Sequence, residues 1–418
     1  RSTQGVSSAA SDVYKRQLYI WGERDRMLSI KGRFGVPFKV LLFGLIALAM
    51  LLVIVGCSTG SPEQVEVIKE VPIEVIKEVE VIQEVPVEVV KEVEVLKEIE
   101  VERVVEKIKG TGNLVVYSGR SEKLVGPIIE QFASVSGIDV KVKYGKTAAM
   151  AATILEEGEN SPADLFFAQD PGGLSVVGDL LTPISGDILG LVPNWASSSK
   201  NNWVGISGRA RTVVYNPNNT DESDLPDSLW GFLDPAWKGR IGWAPTNSSF
   251  QTMITGMRSL WGEDKTREWL KGIQDNEPLV YPKNTPQVAA VAAGEIDVGL
   301  VNHYYLFRFL AEEGEDFSAR NYHLREQGPG SLVMVAGAGI IDSSENKENA
   351  EKFLQFMLSK LGQQYFTGQT FEYPLIEGVK TPHVLVPLGD IQQPDLGPTD
   401  LEDMSGTQAM LQEMGILP

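Results

Sequence analysis

Tyr304 and Tyr305 stand side by side in the stretch from Gly294 to Phe309, which reads Gly-Glu-Ile-Asp-Val-Gly-Leu-Val-Asn-His-Tyr-Tyr-Leu-Phe-Arg-Phe. Two phenol oxygens aimed from one point into a cleft would make a hard, anionic site, and such oxygens suit a hard, highly charged cation. The other chemistry open to the pair is organic, with one ring in the core and the other against a ligand. Val298–Val301 reads as a buried strand, and a helical pattern resumes at about Leu306. The pair therefore falls at a strand-to-helix junction, a usual place for ligand groups in open α/β sheets.

The elements that must position it alternate along the chain. Leu114–Tyr117, Ile138–Tyr144 and Asp164–Ala168 read as strands, and Leu124–Ala133 and Ala148–Glu157 as helices. Thr212–Tyr215 and Ser331–Val335 are two further apolar strands. Between them lies a second α/β set with Ile241–Trp243, a helix around Glu263–Lys271, and the tyrosine segment. Alternation of this kind implies a mainly parallel sheet. The inserted second set implies two lobes with a hinged cleft. We expect residues 111–213 to begin lobe 1, residues 214–321 to form lobe 2, and residues 322–418 to complete lobe 1 and add a C-terminal tail.

The region before the lobes has its own grammar. Residues 1–26 read as a non-native leader, since Ser7–Gln17 resembles translated sequencing-adapter read-through. Residues 27–57 have the order of an export signal: Lys31, Arg33 and Lys39, then an uncharged apolar run over Val40–Val55. The run ends at Ile54-Val55-Gly56-Cys57, which resembles a lipobox with Cys57 as the lipidation site. An uncleaved membrane anchor is the other reading of a run this long. Cys57 is the only cysteine, which excludes an intramolecular disulfide and any cysteine metal cluster. Residues 58–110 form a low-complexity stalk in which Ile68, Ile82 and Leu96 recur every 14 residues, as do Pro72 and Pro86. Two heptads suggest a coiled coil, while the valines and prolines favour extended chain. The net charge of −19 argues against nucleic acid as a partner. No Gly-x-Ser-x-Gly elbow, His-Glu-x-x-His pair or Walker loop occurs, so we read a binding protein and not an enzyme.

Several motifs together resemble one family. They are Val116–Glu122, Ser161–Asp170, Val204–Arg211, Trp237–Asn247, Tyr281–Asn284 and Asn302–Tyr305. The family is the ferric-iron-binding periplasmic proteins of bacterial ABC importers, with the type II periplasmic-binding-protein fold. The resemblance runs in order from about Leu114 to Pro374. It implies that Tyr304 and Tyr305 are phenolate ligands of Fe(III), transported with a synergistic phosphate or carbonate. It implies an anion cradle of Ser248, Ser249, Asn284 and Asn302; Arg120, read from the residues alone, could also hold the anion or bridge the lobes. It implies partners as well: an ABC permease, a separate ATPase subunit, and the membrane through a lipid anchor. The location would be the cell envelope, on the outer side of the cytoplasmic membrane.

The chain also departs from the family's pattern. Where many members place a histidine and a glutamate, Ser121 and Gln169 stand here; where others place a third tyrosine, Trp243 stands. Asp170, Tyr144 and Tyr117 are the residues available to complete the metal shell. Arg209 and Arg211 could hold the anion or bridge the lobes, and for Arg211 an ion pair is the expectation. His303 reads as a hydrogen-bonding flank; His323 and His383 receive no role, and the tryptophans read as packing. The same fold with an organic or oxyanion ligand (thiamine, a polyamine or an organophosphate) is the alternative, as is a stalked receptor that feeds signalling.

Overall fold

A computed structural model describes residues 103–418. The expected leader, export signal, Cys57 and most of the stalk lie outside the described residues. In chain order the elements are β1 (Asn113–Ser118), α1 (Glu122–Ser136), β2 (Asp139–Tyr144), α2 (Thr147–Glu157), β3 (Leu165–Ala168), α3 (Pro171–Val176) and α4 (Gly186–Leu189). Then follow β4 (Val204–Tyr215), β5 (Ile241–Trp243), α5 (Ser248–Trp261), α6 (Glu263–Asp275), β6 (Leu279–Val280), α7 (Asn284–Ala292), β7 (Val298–Asn302) and α8 (Tyr304–Glu313). The chain continues through β8 (Arg320–Tyr322), β9 (Val333–Ile340), α9 (Lys347–Met357), α10 (Lys360–Gln369) and α11 (Met404–Glu413).

The strands run in the order β2-β1-β3-β9-β4-β7-β5-β6, with β8 also on β4. Both ends of this path are parallel, β1 with β2 and β3, and β5 with β6 and β7. The middle is antiparallel, which corrects the expectation of a mainly parallel sheet. The cause is β4 and β9, two long strands that cross between the halves. β4 pairs with β9 over Val204–Ala210 and with β7 over Arg211–Tyr215, so one strand serves both halves and passes through residue 213 without a break.

Each half has its own core. Around β1, β3 and β9, Phe132 packs on Phe353 and Phe356 at 5.2 and 5.5 Å. Around β5 and α5, Trp269 and Phe250 fill a second core, which Met410 and Leu411 of α11 also enter. The tail thus packs on the second half of the sheet, with Arg258 of α5 bonded to Asp403. Trp203, Trp237 and Trp243 are buried, and Trp230 packs on Trp261. Gly119, after β1, lies so close to α2 that a Cβ there would meet Thr147 Oγ1 at 2.2 Å. That close approach brings the β1 loop to the start of α2, next to the site.

Candidate metal and anion site

α8 begins at Tyr304, two residues earlier than the apolar pattern suggested, so both tyrosines belong to its first turn. Tyr304 is buried within the first half's core, although α8 follows a strand of the second half. Tyr305 is partly buried and packs against both halves. Their rings stack with centroids 4.3 Å apart. Burial pushes the Tyr304 phenol up, and Tyr305 adds to the shift, against the opposing charges of Arg120 and Arg209.

β4 supplies the floor beside them. Its alternation puts Ser207, Arg209 and Arg211 on one face, and all twelve of its residues are buried. Ser207 and Arg120 both donate to the buried carboxylate of Glu372. Arg209 donates from Nη1 to Ser249 Oγ at 3.2 Å. Arg211 donates from Nη1 to Asn302 Oδ1 at 3.0 Å, and its Nε and Nη2 have no protein partner. The ion pair expected for Arg211 is therefore not formed. Burial beside Arg209 holds Arg211 down at about 9, against the pull of Tyr305 and Tyr304. Burial, then the charge of Arg120, lowers Arg209 as well.

Of the expected anion residues, Ser248, Ser249 and Asn302 meet here. Ser249 Oγ accepts from Gln169 Nε2 at 3.0 Å, from Arg209, and from Asn302 Nδ2 at 3.3 Å. A hydroxyl oxygen has two acceptor lone pairs, so three donors on one oxygen mark a place where the fold aims positive charge. Ser248 Oγ accepts a second bond from Gln169 at 3.2 Å. Asn284, at the start of α7, is fully buried with an unpartnered Nδ2. The start of α5 offers less backbone than expected, because Asn247 Oδ1 already accepts from the N–H groups of Ser249 and Phe250. What Ser248 and Ser249 bring is hydroxyls and the helix dipole.

The residues available to complete a metal shell fall differently. Asp170 caps α3 through Oδ1, at 2.9 Å from Gly173 N, and its buried Oδ2 has no protein partner. Tyr117 donates to Glu157 at 2.9 Å at the far end of α2, and burial with that bond pushes it up to about 12. Tyr144 lies over α1 at Gly126. Neither joins the Tyr304 cluster. Trp243 packs edge-on against Phe250, and Ser121 is exposed at the start of α1. Among the described residues no three His, Cys, Asp or Glu side chains form a metal cage. His303 is fully buried: Nδ1 accepts from Ala210 N at 3.1 Å, and Nε2 donates to Phe371 O at 2.7 Å. With both nitrogens committed to backbone, it ties α8 to β4. Burial and then His323 hold it down at about 3.

Sequence reasoning missed two features. Gln169 bridges the halves, its backbone N–H held by Thr147 Oγ1 at 3.1 Å and its side chain on Ser248 and Ser249. Glu372 is the buried partner of Arg120, and no local pattern signals a contact spanning 252 positions.

The family of bacterial extracellular solute-binding proteins matches residues 160–390. The major ferric iron-binding protein of Neisseria meningitidis serogroup B is 33% identical over 310 residues, covering 73% of this chain and 93% of its own length. Iron-bound HitA from Pseudomonas aeruginosa superposes with a TM-score of 0.70 at 33% identity, over 72% of this chain and 99% of that one. A Trichodesmium protein in complex with iron and citrate has a TM-score of 0.65 at 29% identity, over 73% and 99% of the two chains.

Proposed function

The chain belongs to the ferric-iron-binding periplasmic proteins, within the bacterial extracellular solute-binding family, and from that premise we propose that it carries Fe(III) to an ABC permease. The iron is cargo, bound by the phenolates of Tyr304 and Tyr305 and by an exchangeable anion. The anion sits against Ser248, Ser249, Asn284 and Asn302, with Arg120 neutralised in part by Glu372. The permease works with a separate ATPase subunit, and the receptor itself stands on the outer side of the cytoplasmic membrane. Lipidation at Cys57 and the repetitive stalk would hold the receptor near it.

One observation carries the reading. Two stacked phenols that make no hydrogen bond among the described residues stand next to a buried cluster of donors that converge on Ser249. Fe(III) with two phenolates retains a charge of about +1 and an incomplete octahedral shell, so an anion completes both charge and coordination. Among the described residues Asp170 Oδ2 is the one buried carboxylate oxygen without a partner, and it would be the further protein ligand besides the tyrosines. The relatives' names agree on iron.

Ferric phenolates absorb visible light. The full chain should turn coloured when loaded with Fe(III) and phosphate or bicarbonate, and the double Tyr304→Phe, Tyr305→Phe variant should stay colourless. A native protein that takes up no iron in either buffer would overturn the reading in favour of an organic or oxyanion ligand.

A further inference from the structure

α8 carries the tyrosine pair, yet of its ten residues only Tyr304 and Leu306 are buried, and its N-cap makes no side-chain bond to the helix. The direction of its head is set by residue 303. The N–H of His303 donates to Ala210 O at 3.0 Å, and its Nδ1 accepts from Ala210 N at 3.1 Å. Its carbonyl accepts from Asn321 Nδ2 at 2.8 Å, and its Nε2 donates to Phe371 O at 2.7 Å.

Phe371 is the unusual member of this set. Its φ is +57°, in the left-handed region, which is costly for a residue with a Cβ. Such a conformation persists where the surroundings over-determine it, and here they do. Tyr373 exchanges both backbone hydrogen bonds with Gly208 of β4, and the N–H of Glu372 donates to Phe366 O at 3.1 Å. The Glu372 carboxylate accepts from Arg120 and Ser207. Held in this way, Phe371 meets α8 twice, with its carbonyl on His303 and its ring against Phe307, centroids 5.2 Å apart. Residues 303 and 307 are four apart and share one helix face, so the two contacts fix the roll of α8 about its axis. At the ~6 Å outer radius of a helix with its side chains, a roll of about 10° moves an atom by about 1 Å. That is several times the ~0.2 Å tolerance of a metal–ligand distance.

We propose that Phe371 and His303 are positioning residues for the tyrosine pair: a strained carbonyl, acting through the imidazole, sets the roll of the first turn of α8 and so the aim of both phenols. The inference rests on the ferric reading for its iron readout alone.

His303→Phe keeps a ring and removes both side-chain bonds, whereas His303→Gln can still accept and donate. Phe371→Gly suits the left-handed backbone but takes the ring away from Phe307. Full chains are loaded with Fe(III) and phosphate, then read for the position of the visible band and the rate of iron loss to a chelator. His303→Phe should shift the band and speed iron loss by roughly 10- to 100-fold, the scale for groups that orient a metal ligand, and His303→Gln should restore part of it. Phe371→Gly should also shift the band and lose iron about tenfold faster. Ile273→Ala, in the second core on α6, is the control: it lowers stability and should leave band and rate native. A purely structural role would give both test variants that same pattern. A native band and rate in either one, once folded, therefore overturn the proposal; should His303→Phe fail to fold, Phe371→Gly decides alone. A native chain without an iron band sinks the ferric reading and leaves the positioning role to the iron-free tyrosines. Their stacked rings give a near-ultraviolet circular dichroism signal, isolated by subtracting the spectrum of the Tyr304→Phe, Tyr305→Phe chain. His303→Phe and Phe371→Gly should change that signal, and an unchanged one overturns the positioning role.

Discussion

Arg211 and Asn302 are direct cross-strand neighbours on β4 and β7, and the guanidinium Nη1 donates to the amide Oδ1 at 3.0 Å. The bond fixes which way the amide faces. With Oδ1 held by a cation, Nδ2 must point the other way, and it donates to Ser249 Oγ at 3.3 Å. Arg211 therefore presents Asn302 to the proposed anion cradle as a donor. Asn302→Asp keeps the bond to Arg211 but removes that donor and cancels a positive charge. Anion-supported iron retention should fall by about 10- to 100-fold, with little change in iron-free stability. Retention by the variant that matches the native protein at low phosphate would show that the amide makes no contact with the anion.

The two tyrosines should separate function from folding. Tyr304 is buried and its hydroxyl makes no hydrogen bond among the described residues, so its removal leaves no partner unsatisfied. Iron-free Tyr304→Phe should unfold in urea within about 1 kcal/mol of the native chain, yet lose most of the visible iron band. A large destabilisation with the band intact would assign the phenol to the core.

Gln169 stands where the family resemblance led us to expect a glutamate, and its amide spans the two halves to Ser248 and Ser249. Gln169→Glu exchanges two donated bonds for a hard anionic ligand. Iron should then resist a competing chelator about tenfold better, a gain of roughly 1.4 kcal/mol, and depend less on added anion. Chelator competition at two phosphate concentrations measures both effects. A variant that holds iron less tightly at every phosphate concentration would place residue 169 outside the metal's reach.

Much of the fold was legible because burial and apolarity coincide in β1, β3 and β7. The first half of β4 was not, since Gly205, Ser207, Gly208, Arg209 and Arg211 interrupt the apolar signal while every one of them is buried. The strand buries charge, and a hydrophobic pattern cannot report that. The tyrosine pair was readable from residue type and adjacency. The expected ion pair of Arg211 was not, because buried charge is usually paired inside the chain. Tyr117 looked available as a ligand until Glu157, 40 positions away, claimed its hydroxyl.

Iron-free stability should fall in mild acid. Burial holds His303 down at about 3 and His323 at about 4, against an ordinary value of 6.5. Below 6.5 the unfolded chain takes up protons that the folded chain refuses, so the folded state loses ground as pH falls toward those lower values. Each histidine contributes on the order of 2 kcal/mol between pH 7.5 and 5. His323→Gln should flatten that slope in urea melts at the two pH values, and an unchanged slope would mean His323 protonates while folded.

Iron occupancy carries a steeper pH dependence of its own. Burial and the neighbouring Tyr305 push Tyr304 up, so in the iron-free protein its phenol keeps its proton at neutral pH. Binding Fe(III) as a phenolate releases that proton, and a second leaves with Tyr305. The metal's charge drives the release well below the ordinary phenol value near 10. The logarithm of the binding constant should then rise by close to two per pH unit, and by close to one in Tyr305→Phe if that variant still loads. Acid strips iron cooperatively on this account, before the histidine-linked loss of folding sets in. Visible absorbance across a pH series, with circular dichroism on the same samples, follows both events. Occupancy that holds steady until the fold itself fails would mean that phenolates are not the ligands.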